Sequence, residues 1–170
     1  LRRSRVAHHS LLISVFGSLV LLAAAIYSSP ASAAKDEKGD WSPLFDWPLI
    51  TVHAAVTPDM RVLSYGTRTT GQQTGFFEYD IWDPAAGTSI PLSHMTLNNL
   101  TLTDLFCSSQ VVLPQSGEIF IAGGDNFING GTTNTGNNNS NLFDYTDNTL
   151  VRSANMFKAR WYSSSTVMTN

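Results

Sequence analysis

The stretch Cys107–Leu113 (CSSQVVL) is repeated 55 residues later as Tyr162–Met168 (YSSSTVM). In both stretches the first residue is followed by two serines, and both end on a pair of apolar residues. Internal similarity with a period of about 50 residues is typical of β-propeller blades. Since equivalent positions of stacked repeats become neighbours, the repeat predicts that Cys107 and Tyr162 begin equivalent strands on adjacent blades. A slip of one residue in this alignment would turn a side chain to the other face of its strand.

A shared order of strands and turns supports an all-β fold. In the first repeat the β-rich stretch Leu49–Val56 precedes a turn, and in the second repeat Cys107–Leu113 precedes a comparable one. The next strand of the second repeat ends on Gly123 and Gly124, where glycine allows tight turning and close approach of the backbone. We therefore predict a kelch-type β-propeller. A polar loop, Asn126–Asn141, is expected on one rim.

Only the first two to three blades of this propeller are expected in the chain. A third repeat starts near Met156, and the 136 residues from Lys35 to Asn170 cover little more than two repeats. Propellers close with about four to eight blades, and an open stack leaves unpaired strand edges. We therefore expect an incomplete propeller over residues 49–170, at the N-terminal end of a longer protein.

Residues 1–34 have the pattern of a secretory signal peptide. Three arginines precede an apolar run from Leu11 to Tyr27, and small residues suited to cleavage follow. An uncleaved membrane anchor is the alternative, although the run is slightly short for a span. Residues 35–48 are predicted to form a linker and an irregular arm against the first blade. We expect a secreted protein, extracellular or in the cell envelope, with no stable membrane insertion after cleavage.

The charge of the mature chain argues against polyanionic partners. Without residues 1–34 the 10 basic residues fall to seven, whereas all 13 acidic residues remain, so the formal net charge is −6. This balance disfavours nucleic acid and anionic membranes as partners. In a secreted protein a single cysteine indicates a special thiol. A plain structural interpretation is also open, because a lone cysteine often packs as a small hydrophobe and a strand tyrosine commonly packs as well.

Two motifs resemble a known family. Asp104–Cys107 (DLFC) and Ala159–Ser164 (ARWYSS) are similar to motifs of the copper radical oxidases, which include galactose oxidase and glyoxal oxidase. The resemblance runs from about Trp41 to the end of the chain. It implies that Cys107 and Tyr162 are joined by a thioether, that the Tyr162 oxygen binds copper, and that the crosslinked ring holds a radical. The family's other copper ligands have no match here and are expected beyond Asn170.

The resemblance also implies a reaction. An aldehyde or a primary alcohol would be oxidised while dioxygen is reduced to hydrogen peroxide, with a small aldehyde, alcohol or sugar as substrate. Copper handles one electron, and the Cys–Tyr radical cofactor supplies the second; this chemistry belongs to the cofactor, and the protein positions it. The segment Ala159–Tyr162 favours the glyoxal oxidase side over galactose oxidase.

Other candidate residues are assigned structural roles. The turns of the two repeats align at an offset of 57 residues, which matches His53 to Gln110 and predicts that His53 points away from the site. His94 is expected to be structural or exposed. Trp161 is expected to face away from Tyr162, because neighbouring strand residues point in opposite directions. Asp104 and Arg160 are expected to form turn hydrogen bonds or an ion pair.

Two functional alternatives remain open. The first is a non-catalytic kelch propeller that binds glycan or protein at the cell surface, and the second is a structural envelope protein. A Tyr-His pair and a later lone histidine beyond Asn170 would favour the enzyme. The sequence has no Gly-rich phosphate loop before a helix and no paired carboxylates suited to glycoside hydrolysis.

Overall fold

The computed structural model describes residue 39 and residues 41–73 and 75–169. The chain divides into two compact units, Leu1–Pro43 and Leu44–Asn170, and every strand described lies in the second. The predicted signal peptide, residues 1–34, lies outside the described residues, as does most of the predicted linker. None of the helical segments among the described residues has the length and apolar character needed to cross a membrane.

The described residues are built from β-strands, which confirms the predicted all-β class. One short 3₁₀ helix, Pro84–Ala86, interrupts them. The strands are β1 (Leu49–Val56), β2 (Val62–Arg68), β3 (Glu78–Trp82), β4 (His94–Asn98), β5 (Ser109–Val112), β6 (Ile119–Ala122), β7 (Asp125–Ile128), β8 (Gly131–Gly136), β9 (Ser140–Asp144) and β10 (Thr149–Arg152).

Two four-stranded antiparallel sheets share one topology. The first has the order β1-β2-β3-β4, and the second has the order β5-β6-β9-β10, so that each sheet follows the chain from one edge to the other. The hairpin β7–β8 forms a separate two-stranded sheet inserted between β6 and β9. Among the described residues neither large sheet closes on itself.

The two sheets pack face to face through apolar side chains. Alternation along each strand sends one set of side chains towards the facing sheet, and full burial of such a side chain contributes about 1.5–3 kcal/mol. This core consists of Leu63, Tyr65, Tyr79 and Ile81 from the first sheet, Ile119, Ile121, Phe143 and Leu150 from the second, and Leu105 from the segment between them.

Several predicted boundaries differ from the structure. The strand predicted at Cys107–Leu113 is shorter, Ser109–Val112. The predicted loop Asn126–Asn141 contains most of the β7–β8 hairpin and the start of β9. Residues 162–168 form no strand, so the prediction that Cys107 and Tyr162 both begin strands is wrong.

Only the end of the predicted arm, at Trp47, packs on the first sheet, whereas Trp41 and Leu44 are fully exposed. The indole N–H of Trp47 donates to the hydroxyl of Ser64 over 3.2 Å. The Trp47 ring also packs edge-on against His94, with 4.6 Å between centroids. His94 is buried, and its Nδ1 lies 2.8 Å from Oδ2 of Asp80, whose other oxygen, Oδ1, accepts from the Thr96 hydroxyl over 3.0 Å. His94 therefore has the structural role that the sequence predicted.

Candidate active site

Cys107 lies in the segment between β4 and β5 and has a left-handed backbone with φ 61°. A non-glycine residue in this conformation carries backbone strain and persists only where its surroundings hold it. Leu105, fully buried in the core, accepts the N–H of Ser108 over 3.1 Å and anchors the turn. The side chain of Cys107 is buried and forms no disulfide.

Tyr162 has the same unusual conformation, with φ 50°. Its backbone N–H donates to the carbonyl oxygen of Cys107 over 3.0 Å. The two residues that the 55-residue repeat relates are therefore hydrogen-bonded through their backbones, and both are left-handed. Tyr162 is 68% exposed, so most of its surface faces solvent, whereas Cys107 is buried.

The side chains of Cys107 and Tyr162 are close enough to shift each other's pKa. Burial raises the pKa of the Cys107 thiol, and the nearby Tyr162 phenol partly offsets that increase. The nearby Cys107 thiol is the main reason that the pKa of Tyr162 lies above its ordinary value. Both groups therefore keep their protons at neutral pH, and the thiol is a poor nucleophile in this state because thiolate is the reactive form.

Two glycines allow the Cys107 and Tyr162 segments to approach each other. Gly123 and Gly124 follow β6 with φ 74° and 122°. A Cβ atom on Gly123 would lie 2.6 Å from the carbonyl oxygen of Arg160, and one on Gly124 would overlap the carbonyl oxygen of Asp104. The N–H of Gly124 donates to Arg160 over 3.1 Å. The predicted close approach at the double glycine is therefore confirmed.

The ring of Trp161 lies against Tyr162, contrary to the sequence prediction. The two ring centroids are 4.7 Å apart at an angle of 58°. The prediction assumed an extended strand, whereas the left-handed turn at Tyr162 brings both rings to one side. The indole N–H of Trp161 donates to Oδ1 of Asp125 over 2.5 Å, and Gln73 donates to Oδ2 over 2.7 Å. The carboxylate of Asp125, fully buried, therefore fixes the Trp161 ring.

Asp104 is a second buried carboxyl beside the site. Its Oδ1 accepts the N–H of Phe106 over 3.1 Å, which is the predicted turn hydrogen bond, whereas its Oδ2 is buried without a partner. Burial raises the pKa of Asp104 to about 6, and the nearby charge of Asp125 adds to the increase. The backbone of Arg160 also has a structural role, because its N–H donates to Asn137 over 2.8 Å.

His53 contacts the site, so the prediction that it points away is wrong. Its Nε2 accepts the backbone N–H of Cys107 over 3.1 Å. The turn of the first repeat has five residues, 57–61, whereas the turn of the second has six, 113–118. The strands before the turns therefore align at an offset of 56 and match His53 to Ser109, not to Gln110. One residue of offset reverses the face of the strand.

The equivalence of His53 and Ser109 is visible in their contacts. Each side chain reaches from its own repeat to the next: His53 contacts Cys107, and the hydroxyl of Ser109 lies 2.7 Å from Ser165 and 3.2 Å from Ser163. Sequence alternation could not identify this role. Comparing the lengths of the two turns, and aligning each strand separately, would have identified it.

The described residues contain no group of three or more His, Cys, Asp or Glu side chains arranged to hold a metal ion. The phenol of Tyr162, beside a buried sulfur and open to solvent, is the one predicted copper ligand that they include. Neither the comparison with models of protein families nor the comparison with curated proteins finds a match to this chain.

Proposed function

We propose that Cys107 and Tyr162 are joined by a thioether and form the radical cofactor of a copper radical oxidase. One observation carries the proposal: Cys107 and Tyr162 come from repeat-related positions, have the same left-handed backbone, and are joined by a hydrogen bond from the Tyr162 N–H to the Cys107 carbonyl oxygen over 3.0 Å. Strained conformations of this kind cluster at functional sites, where the surrounding structure holds them. Tight packing alone gives no reason for strain at both positions.

The proposed coupling joins the sulfur of Cys107 to an ortho carbon of the Tyr162 ring, the carbon next to the one that carries the hydroxyl. Formation of the bond between sulfur and carbon removes the hydrogen of the Cys107 thiol and one hydrogen of the Tyr162 ring. Dioxygen takes up the two electrons and two protons as hydrogen peroxide.

The roles of the residues follow from this assignment. The Tyr162 oxygen would hold the copper, together with ligands outside the described residues. When bound, the copper would supply one of the two electron transfers that the reaction needs, and the crosslinked ring would supply the other. The Trp161 ring packs against Tyr162 and limits access of water to that side of it. The sulfur substituent spreads the unpaired electron and lowers the oxidising power of the ring.

The family resemblance supports the substrate class, and the Ala159–Tyr162 segment supports the leaning towards glyoxal oxidase. We assign the chain to an oxidase of small aldehydes or primary alcohols, closer to glyoxal oxidase than to galactose oxidase. An aldehyde hydrate or an alcohol loses two electrons and two protons, and dioxygen is reduced to hydrogen peroxide. Initial rates of peroxide formation by the full-length protein with glyoxal, methylglyoxal and galactose test the preference. A clear preference for galactose would overturn it.

The crosslink has its own experiment. The full-length protein, purified without metal, is exposed to Cu²⁺ and air, digested and analysed by mass spectrometry. We expect one species in which the Cys107 and Tyr162 peptides are joined with the loss of two hydrogens. Cys107→Ser and Tyr162→Phe serve as controls that lack one partner each. Separate, unmodified peptides from a folded, copper-exposed wild type would refute the proposal.

We also propose that the two large sheets are successive blades of a kelch-type propeller. Their common strand order, their face-to-face core and the His53–Ser109 equivalence support this. The N-terminal pattern of residues 1–34 supports secretion. N-terminal sequencing of the protein from culture medium should give a start close to Lys35, and a start within residues 1–10 would contradict cleavage.

A further inference from the structure

We propose that His53 is a positioning residue that holds Cys107 in the conformation needed for coupling to Tyr162, an inference that rests on the proposed function. It is carried by the bond from the Cys107 N–H to Nε2 of His53, at 3.1 Å. His53 belongs to the first repeat, Cys107 to the second and Tyr162 to the third. The bond therefore joins the coupling pair to a sheet that contributes neither member of the pair.

Both polar groups of the Cys107 backbone have partners on neighbouring repeats. His53 accepts the N–H, and the carbonyl oxygen accepts the N–H of Tyr162 over 3.0 Å. A left-handed non-glycine residue is held only by such external constraints. Loss of the His53 bond lets Cys107 relax towards negative φ. Because φ sets the direction of the bond from Cα to Cβ, that relaxation moves the sulfur away from the phenol.

The His53 ring is itself fixed in place. It stacks on Tyr65 with 4.9 Å between centroids and an angle of 21°, and the edge of Phe106 closes another side at 6.4 Å. Tyr65 is fully buried, and its hydroxyl is bonded to Ser108 and Gln110. Since Nε2 accepts a hydrogen bond, the neutral ring carries its proton on Nδ1. The imidazole is thus a rigid acceptor aimed at one amide.

Because the His53 ring is held rigidly, its bond to the Cys107 amide affects how readily Cys107 couples to Tyr162. Coupling between two side chains depends steeply on how often they occupy the reactive geometry, and a displacement of about 1 Å can reduce a rate about 100-fold. His53 is bonded to the backbone of Cys107, so its effect on coupling is exerted through that backbone. We therefore expect its replacement to slow formation of the crosslink and to leave the rest of the fold intact.

The test compares two substitutions in the full-length protein. His53→Phe keeps an aromatic ring on Tyr65 and removes the acceptor, whereas His53→Gln restores an acceptor at a similar distance along the side chain. The first measurement is amide hydrogen exchange at Cys107 in the metal-free protein. The second is the rate at which the crosslinked peptide appears after addition of Cu²⁺ and air. Exchange at Ile121 and Phe143, in the core, reports whether each variant is folded.

For His53→Phe we expect exchange at Cys107 to rise and crosslinking to slow, each by about fivefold to tenfold, the effect of losing one hydrogen bond. Core amides keep their wild-type protection. His53→Gln restores both quantities to within about threefold of the wild type. A merely space-filling role of His53 predicts the opposite ranking, with Phe close to the wild type and Gln impaired.

Several results would overturn the inference. One is wild-type exchange at Cys107 in His53→Phe, and another is wild-type crosslinking in that variant. Equal impairment of His53→Gln and His53→Phe also counts against it. If His53→Phe loses core protection, His53→Leu provides the acceptor-free comparison. A wild type that never forms the crosslink refutes the proposed function, and Cys107 exchange then decides by itself whether His53 holds the amide.

Discussion

Gly124 lies so close to Asp104 that a side chain at Gly124 would overlap the Asp104 carbonyl oxygen. The same glycine donates its N–H to Arg160 over 3.1 Å and has a φ of 122°. It therefore lies between the backbone that leads to Cys107 and the backbone that leads to Tyr162. The juxtaposition of the thiol and the phenol depends on a residue without a side chain at this position.

Gly124→Ala is expected to separate the two segments. The added methyl group meets backbone atoms, which cannot rotate away, and the left-handed φ adds strain, so the free energy of unfolding should fall by about 2–4 kcal/mol. Gly131→Ala is the matched control, because its φ is not left-handed and its nearest neighbouring atom is 4.0 Å away. Urea unfolding and the yield of the crosslinked peptide measure the difference. Equal stability of the two variants would contradict the role given to Gly124.

Local sequence signals predicted part of the fold well. The bounds of β1, Leu49–Val56, agree with the sequence prediction, because turn residues limit an uninterrupted β-rich run. The hairpin β7–β8 was missed because its residues are polar and offer little apolar alternation. A usable signal was present in Asn129-Gly130, which adopts φ 54° and 82° at the tip of the hairpin. Asn-Gly is the preferred pair for such turns.

Features that depend on the pairing of repeats were harder to predict. The side of the strand on which His53 lies depends on one additional residue in a turn more than 50 positions away. The contact between Trp161 and Tyr162 depends on a left-handed residue, which propensity does not anticipate for tyrosine. The carboxyl group of Asp125 accepts a hydrogen bond from Trp161, which lies 36 positions away in sequence. Only the folded chain brings these two residues together.

Asp104→Asn tests the buried carboxyl beside the site. The pKa of Asp104 is raised from 3.8 to about 6, so the folded state holds this proton more tightly than the unfolded state. Its contribution to stability is fully present below pH 3.8 and is lost as the pH rises through about 6. Asn keeps an oxygen to accept from Phe106 and does not titrate. The free energy of unfolding of Asp104→Asn, relative to that of the wild type, should therefore rise by about 2 kcal/mol between pH 4 and pH 8.

Chemical unfolding at several pH values measures this difference. Asp144→Asn is the control, because hydrogen bonds from Thr146 lower the pKa of Asp144, which is only partly buried. The contribution of Asp144 to stability is present above pH 3.8 and is lost only at lower pH. The free energy of unfolding of this control should therefore change with pH as that of the wild type does between pH 4 and pH 8. A parallel course for Asp104→Asn as well would refute the raised pKa.

Tyr65→Phe tests a connection between the two large sheets. Tyr65 is fully buried, and burial raises its pKa well above the ordinary value, so its hydroxyl stays protonated. The hydroxyl donates to Oε1 of Gln110 over 2.9 Å and lies 3.0 Å from the hydroxyl of Ser108. Its removal leaves both partners unsatisfied, and the free energy of unfolding should fall by about 1–2 kcal/mol.

Ser108→Ala provides the comparison for that variant. It removes one of the two bonds and leaves the bond between Tyr65 and Gln110 in place, so its loss of stability should be smaller. Urea unfolding of the wild type and the two variants gives the ranking. A Tyr65→Phe protein as stable as the wild type would show that the hydroxyl network contributes no net stability.

The protonation of His53 gives a prediction of opposite sign to that of Asp104. Burial lowers the pKa of His53 below 6.5, so the folded state favours the neutral ring, which is the form that accepts the Cys107 N–H. This contribution to stability is fully present above pH 6.5 and is lost as the pH falls through the lowered pKa. Protection of the Cys107 amide, corrected for intrinsic exchange, should therefore decline in the same acidic range.

His53→Gln is the control for this prediction. Its acceptor does not titrate, so the Cys107 amide should keep its protection at acidic pH. Since Asp104 is present in both proteins, the difference in protection between them reports the protonation of His53 alone. Equal acid sensitivity of Cys107 in both proteins would mean that another group controls this amide.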